Sequence, residues 1–329
     1  MPKKLTLVVP HYKEPWETCK FLFDSIEIQH GIDFDDISVL VVNDGDDVVF
    51  DKSVFEPYRY EIEYVVKPHG GLSDTRNYGI EHGDSEYIMF CDCDDGFLNN
   101  YGIHLVLGAI EEGFDLLYSC FVEEQPLGKG WKIYRRDKDL VFIHGKCYRR
   151  QFLLDKNIRF DLGQYFSEDS LFNKIAYCEA GDNVKEIGTP FYLWAWHEGS
   201  TVRKDRDDLV LREYAQVIRM KMLACEQLYE RGFIDEFFDA VCKTFFDAYY
   251  DFNCPMFQKP ENRERVKAAE KEVKKFYKKY AKDFYECDSE RIRKVMMGSR
   301  TMSYNNNNLQ VENIDFKSWL KHIKNDVKI

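Results

Sequence analysis

Asp92, Asp94 and Asp95 follow directly on the apolar run Tyr87-Ile88-Met89-Phe90-Cys91, so hard oxygen ligands crowd at the end of a short, strand-like segment. In open α/β sheets the carboxyl ends of the strands are where ligands bind. Carboxylates this close repel one another, and a bound divalent cation relieves the repulsion. Asp92 and Asp94 are two residues apart and would share a face of a regular strand; at a strand end the chain can turn and aim both at one point. Hard carboxylates suit Mg²⁺ or Mn²⁺ and soft thiolates do not, so Cys93 reads as a spacer with its side chain turned inward. The competing reading is a solvated acidic turn, because Asp and Gly are ordinary turn residues.

The elements that would position these groups alternate along the first ~200 residues. Leu5–Pro10 reads as a buried strand and Trp16–His30 as an amphipathic helix. Ile37–Val42 is a second strand with Asn43-Asp44-Gly45-Asp46-Asp47 at its tip. Ile62–Val66 is a third, followed by the loop Lys67-Pro68-His69-Gly70-Gly71 and a helix from Ser73 to His82. Tyr87–Cys91 is the fourth strand. Such alternation predicts an α/β domain over residues 1–205 with a mostly parallel central sheet, covered on both faces. Beyond Arg203, Leu209–Arg231, Phe233–Phe252 and Arg263–Tyr285 are long, helix-favouring and nearly free of Gly and Pro, which predicts an α-helical domain over 206–329. Lys271, Lys274, Lys275, Lys278, Lys279 and Lys282 give one helix a basic face, read as a solvated surface or as a platform for an anionic acceptor. Asn305–Asn308 reads as a polar loop and Phe316–Ile323 as a last short helix.

Composition narrows the classes further. The 329 residues are 44% hydrophobic and 16% aromatic, enough for a large core and for flat surfaces on which bases and sugars stack. A formal charge of −12 disfavours, without excluding, a nucleic-acid partner. No segment has the length of a signal core or a membrane span, and the ten cysteines include no zinc-type CxxC pair. Reduced thiols and a cytoplasmic location are the expectation.

Four strand-end segments occur in a telling order: Val8-Val9-Pro10-His11-Tyr12-Lys13-Glu14, Val42-Asn43-Asp44-Gly45-Asp46, Gly71-Leu72-Ser73-Asp74-Thr75-Arg76-Asn77-Tyr78-Gly79-Ile80 and Phe90-Cys91-Asp92-Cys93-Asp94-Asp95. A fifth is Phe166-Ser167-Glu168-Asp169-Ser170-Leu171-Phe172. Together they resemble glycosyltransferase family 2, the nucleotide-sugar-dependent enzymes with the GT-A fold, over about residues 5–203. The helical third lies outside the resemblance.

The resemblance implies roles for particular residues. Asp94 would bind the metal, with His197 completing its shell or touching a diphosphate oxygen, and Asp92 would face the ribose or the metal shell. Asp44 would accept the imide N–H of a uracil, although a plain turn is the other reading and the family often has two acids where this chain has Asn43-Asp44. Pro10, His11 and Tyr12 would line the base pocket, Glu14 would touch the nucleoside, and Lys67 and Gly71 would shape its edge, with Cys93 beside it. Arg76 would pair with phosphate or hold an Asp of the cluster, its helix start favouring anions. Arg203 would neutralise phosphate charge. Inverting displacement needs a base at the acceptor hydroxyl, and Asp169 resembles it, with Glu168 orienting the acceptor. Trp194 and Trp196 read as a sugar-stacking surface or as core, and His144–Arg150 as a segment on the sugar or acceptor side.

The expectation is therefore a metal-dependent (Mn²⁺ or Mg²⁺) inverting transfer of glucose or N-acetylglucosamine from a UDP-sugar to an acceptor hydroxyl, on a cell-surface polysaccharide or other polymer. Modified bases of DNA are an alternative acceptor. Asp92-Cys93-Asp94-Asp95-Gly96 also superficially matches the nucleophile loop of a haloacid-dehalogenase phosphatase, a reading that leaves the other strand tips unexplained. A non-catalytic sugar-binding module is a third possibility. The C-terminal helices would serve as acceptor platform or homo-oligomer interface.

Overall fold

The computed structural model describes residues 3–197, 206–307 and 316–325. The chain forms two compact units, Met1–Arg203 and Lys204–Ile329. The first contains β1 (Leu5–His11), α1 (Trp16–Glu27), β2 (Ile37–Asn43), β3 (Glu61–Val66), α2 (Leu72–His82), β4 (Tyr87–Phe90), β5 (Gly96–Phe97), α3 (Gly102–Glu112), β6 (Leu116–Leu127), β7 (Gly130–Arg136), β8 (Lys146–Arg149), α4 (Arg150–Asp155), α5 (Glu168–Ala180) and β9 (Val184–Trp194).

One sheet runs β3-β2-β1-β4-β8-β6-β9-β5, with β7 paired to β6 off that path. The half from β3 to β4 is parallel, as strand–helix alternation requires. Beyond β4 the sheet is mixed: β4–β8, β6–β8, β6–β7 and β5–β9 are antiparallel, and β6–β9 is parallel. The expectation of a mostly parallel sheet thus holds for the half that carries the strand tips. The second half keeps helices α3, α4 and α5 between its strands but adds the β6–β7 hairpin and antiparallel neighbours, which alternation alone does not predict.

Every position of β1 and β2 is buried because both faces of the sheet are covered. Leu5, Leu7 and Val9 share a core with Leu22, Phe23 and Ile26 of α1 and with Ile103 and Val106 of α3. On the other face Phe160 stacks on Phe172 at 3.9 Å, with Phe90 edge-on to both. There α2 lies so close to β1 that a Cβ at Gly79 would sit 2.3 Å from Val8 Cγ1. The strand is central and cannot retreat. Gly79→Ala is accordingly expected to lower stability by about 1–3 kcal/mol, the usual cost of overpacking, read as a lower urea midpoint. An unchanged midpoint would show that α2 can shift at no cost.

The second unit contains α6 (Arg206–Glu230), α7 (Ile234–Phe252), α8 (Pro255–Gln258), α9 (Arg263–Glu286), α10 (Ser289–Asn307) and α11 (Phe316–Asn325). Phe237 and Phe245 of α7 pack edge-on against Phe276, Tyr280 and Phe284 of α9. The lysines of α9 are largely spoken for: Lys274 pairs with Glu270, Lys275 with Glu272, Lys279 with Glu226 and Lys282 with Glu286. Most of that face is an intrahelical and interhelical ion-pair network, not a bare basic platform. Asn305, Asn306 and Asn307 continue α10, so the polar loop expected there is helix as far as Asn307. All ten cysteines are unbridged. No helix among the described residues is long and apolar enough to cross a membrane.

Candidate active site

The ends of β1, β2 and β4 and the first turns of α2 and α5 supply the polar groups. At the β2 tip, Asp44 is 3% exposed and fully engaged. Lys67 Nζ donates to its Oδ1 at 2.5 Å, Gly70 N to Oδ1 at 2.9 Å and Gly71 N to Oδ2 at 2.8 Å, while His69 Nδ1 lies 2.8 Å from Oδ2. Burial pushes its pKa up, but these donors override that and hold it below the usual carboxylate range. A carboxylate offers about four lone-pair sites, and here all are taken. Asp44 thereby anchors the Lys67–Gly71 loop at the β2 tip. Lys67 is likewise committed, bridging Asp44 and Asp74, the latter at 2.6 Å. Gly71 adopts φ 89° as the N-cap of α2, a conformation that favours glycine, and so aims its N–H at Asp44.

Pro10 is buried, and so is His11, packed on Phe50 with Nδ1 at 3.2 Å from Asn43 Nδ2 and Nε2 at 2.8 Å from the Glu14 carbonyl. Both brace the strand tips from below. Tyr12, 38% exposed, keeps its ring at the mouth of the site, stacked on His69 at 4.9 Å. Glu14 accepts from Tyr12 N and fixes that turn.

Arg76 is the hub. It is 1% exposed, on the second turn of α2, and touches three carboxylates. Nη1 donates to Asp169 Oδ1 at 2.6 Å and to Glu168 Oε1 at 3.1 Å, and Nη2 donates to Asp92 Oδ1 at 3.0 Å. Three of its five N–H donors go to acids while Nε is buried without a partner, so of the two expected contacts the one present here is that with an Asp of the cluster. One guanidinium cannot neutralise three carboxylates, and the excess has to appear as a retained proton. It appears at Asp169. Burial, then the charges of Glu168 and Asp92, outweigh Arg76 and push Asp169 up to about 7. Asp92, nearer the open side, is also pushed up by burial, but Arg76 and His144 win and hold it low. Asp169 Oδ2 accepts from Ile143 N at 3.1 Å. Ser167, the residue before α5, sits at φ 63°, a left-handed backbone that a non-glycine residue adopts at a cost and that aims Glu168 and Asp169 inward.

Asp94 lies in contact with His197 Nε2. Burial and the charge of Asp92 raise Asp94 to about 6, while His197 opposes the rise. Two hard carboxylates in mutual repulsion beside an imidazole form a donor set that suits Mn²⁺ or Mg²⁺, so the residues fit a divalent cation. A second acid–imidazole group, Asp92, Asp95 and His144, offers ligand atoms within 4.8 Å of one another. It is a different thing: Asp95 is fully buried, with Tyr192 OH on Oδ2 at 2.8 Å and Ala195 N on Oδ1 at 3.0 Å. His144 is enclosed by Phe121, Phe142, Tyr192 and Trp194. This group ties the end of β9 to the strand-end loop, and Trp194 is thereby core. Cys93 is buried beside Cys19, so only its backbone borders the site. Arg203 lies outside the described residues.

Sequence reasoning missed two groups, Ile143 N and Asn173, and placed Lys146 in the His144–Arg150 segment without giving it a contact. Ile143 N carries no side-chain signature at all. Lys146 is buried without a carboxylate contact, donates to the Phe142 carbonyl, and is pushed down to about 8 by burial. Asn173 donates to the Val141 and Phe142 carbonyls, so α5 and the loop before β8 are stitched together around Asp169. An Asn in the middle of an amphipathic helix was the one available hint.

The family model for Glycosyl transferase family 2 matches residues 6–174, more than half of the chain, and spans each of these strand tips. The chain belongs to glycosyl transferase family 2. That membership removes the phosphatase reading of the Asp92–Gly96 segment. Among relatives, it is 26% identical over 227 residues to glycosyltransferase GlyA of Streptococcus pneumoniae, covering 61% of this chain and 32% of GlyA. It is 27% identical over 217 residues to the uncharacterized glycosyltransferase EpsJ of Bacillus subtilis, covering 58% of this chain and 60% of EpsJ. The chain thus spans between about a third and three fifths of these curated relatives. In fold it is similar to S. aureus TarS 1-349, with a TM-score of 0.57 at 17% identity over 91% of this chain and 92% of that one. The GT-A-like α/β fold and the helical region after it both fall within that likeness.

Proposed function

We propose that the chain is a metal-dependent, inverting glycosyltransferase that moves a hexose, glucose or N-acetylglucosamine, from a UDP-sugar to a hydroxyl of an acceptor polymer. The observation that carries the reading is the Arg76 junction, where one guanidinium joins Asp92 on the strand-end cluster to Asp169 at the start of α5. A donor-side acid and a poised base are thereby fixed relative to each other.

In the proposed step Asp169 takes the proton of the acceptor hydroxyl. The oxygen attacks the anomeric carbon from the face opposite the nucleotide, and the bond to the diphosphate oxygen breaks with inversion. A carboxyl raised to about 7 is matched to this task near neutral pH. Asp94 and His197, with Asp92 alongside, would hold a Mn²⁺ or Mg²⁺ ion that stabilises charge on the departing diphosphate. Asp44, Lys67 and Gly71 set the wall of the nucleoside pocket through their loop, and Tyr12 supplies a ring at its mouth. Arg203 is assigned to diphosphate charge, and the helical unit to holding the acceptor or a second copy. Unbridged cysteines support a reducing, cytoplasmic setting.

Two fold relatives support parts of the reading, the first its UDP-sugar donor and the second its nucleotide-sugar class and Mn²⁺. One is S. aureus TarS 1-349 in complex with UDP-GlcNAc, at 18% identity and TM-score 0.52. The other is the mannosyltransferase PcManGT from Pyrobaculum calidifontis in complex with GDP-Man and Mn²⁺, at 13% identity and TM-score 0.50.

The test is nucleotide release. Incubated with UDP-glucose or UDP-N-acetylglucosamine and Mn²⁺, the protein should liberate UDP slowly without acceptor, and chelation should stop it. Asp94→Ala should lower release by about two to three orders of magnitude, the several kcal/mol that a Lewis acid contributes. Release indifferent to both chelator and variant would remove the metal from the reading; binding of donor with no release under any condition would favour a binding module.

A further inference from the structure

The hairpin of β6 and β7 carries an apolar tip that nothing in the site accounts for. The strands pair from Phe121↔Arg136 out to Leu127↔Gly130. The root is core: Leu116, Leu117 and Phe121 are buried, and buried Glu123 accepts from Arg136 and Gln125. The tip runs out into solvent. Leu127 is 64% exposed, Trp131 62% and Ile133 57%. Trp131 and Ile133, two apart on one strand, share a face, with Pro126 opposite Trp131. Leu127, paired with Gly130, lies on the opposite face, so the tip is apolar on both sides, as an element that inserts end-on would be.

Charge identifies the partner. Of the five cations in segment 126–138, Arg135 pairs with Asp137, Arg136 with Glu123 and Lys138 with Glu186, which leaves the two lysines at the tip, Lys129 and Lys132, as its uncompensated charge. Lys129 and Lys132, nearest the tip, form no ion pair with any described residue, and Lys132 Nζ lies 4.1 Å from the Tyr134 ring centroid. A rigid hairpin with a Trp, an Ile and a Leu at its end and free lysines around them matches an anionic lipid surface: the apolar side chains enter the acyl boundary while the ammonium groups stay at the phosphates. A second copy adding to the β7 edge would set these lysines against their own likenesses, which strand pairing disfavours. A sugar polymer would use the Trp131 ring but gain little from Leu127 and Ile133.

We propose that the β6–β7 hairpin docks this protein on anionic membranes. The inference stands apart from the transfer chemistry proposed above, and it would place the first unit beside acceptors assembled at a membrane.

Co-sedimentation of the full chain with vesicles tests it. Wild type is expected to pellet with vesicles of equimolar phosphatidylglycerol and phosphatidylcholine and to stay in solution with pure phosphatidylcholine. A Leu127→Ser, Trp131→Ser, Ile133→Ser triple variant should partition about tenfold or more weakly, and Lys129→Glu with Lys132→Glu should lose about fivefold per lysine, with a weaker salt dependence. Both variants should keep the wild-type urea midpoint and UDP release. The proposal fails if wild type ignores anionic vesicles, or if both variants bind as wild type does. It fails equally if sedimentation velocity without lipid shows a dimer that the triple variant dissolves while vesicles capture neither protein, for then the hairpin is an interface between copies.

Discussion

Asp169→Asn should lower sugar transfer by about 10²- to 10⁴-fold while donor affinity stays close to wild type, the loss expected when a general base is removed from an otherwise intact site. The amide keeps the shape of the side chain, and its oxygen still accepts from Arg76 Nη1. What it cannot do is take a proton. It also presents an amino group where Ile143 N now donates at 3.1 Å, so one hydrogen bond is lost. That cost, about 1 kcal/mol for a typical bond, opposes the relief of removing one of three crowded charges, a relief that grows with pH.

The pH dependence separates a base from a structural acid. Asp169 is raised from 3.8 to about 7, so it is mostly protonated below that value and able to accept a proton above it. Wild-type transfer at saturating Mn²⁺ should therefore rise with pH through about 7 and then level off. For stability the sign is opposite: a carboxyl whose pKa is raised on folding contributes most below its unfolded value and loses that contribution as pH rises through the folded value. Wild type should lose stability relative to Asp169→Asn between about pH 4 and pH 7. Isothermal calorimetry for donor affinity, a pH–rate profile and urea midpoints at several pH values measure all three. Equal loss of donor binding and transfer, or the same pH rise in the variant, would take the base role away from Asp169.

How much of this was legible in the sequence follows from range. Apolar runs that stop at Asn43-Asp44 and at Asp92-Cys93-Asp94-Asp95 are local signals, and the strands they announce are there, in a parallel half-sheet that brings their tips together. The Arg76 junction is not local. Its partners lie 16, 92 and 93 residues away, and only the fold brings α2, β4 and α5 to one point. The engagement of Asp44 was illegible for a related reason: the Gly70 and Gly71 N–H groups that donate to it are invisible as side chains. The burial of His11 was not legible either, because it depends on both ring nitrogens finding polar partners from other segments. Ser167 in the left-handed region and the Ile143 amide are backbone facts with no residue-type signature.

Arg76→Met is expected to be the most destabilising substitution in the site, by about 3–5 kcal/mol, because it leaves acids buried without their cation. Methionine fills much of the volume, so the loss is electrostatic and should respond to pH. As pH falls, first Asp169 and then Asp92 take up protons and need a partner less, and the gap to wild type should narrow. A purely steric defect would persist unchanged. Arg76→Lys distinguishes support of the fold from support of the chemistry. It keeps a charge, and with it much of the stability, but an ammonium is a single point and cannot hold Asp92 with one arm and Asp169 with another as the guanidinium does at 3.0 and 2.6 Å. Transfer in that variant should fall well below what its remaining stability would suggest. The rise of rate with pH should also move, because the pKa of Asp169 depends on where the cation sits. Urea unfolding of both variants, beside pH–rate profiles of Arg76→Lys, is the measurement. If Arg76→Met unfolds at the wild-type midpoint, the three carboxylates do not depend on this guanidinium, and the coupling of donor side to base that it was assigned has no physical basis.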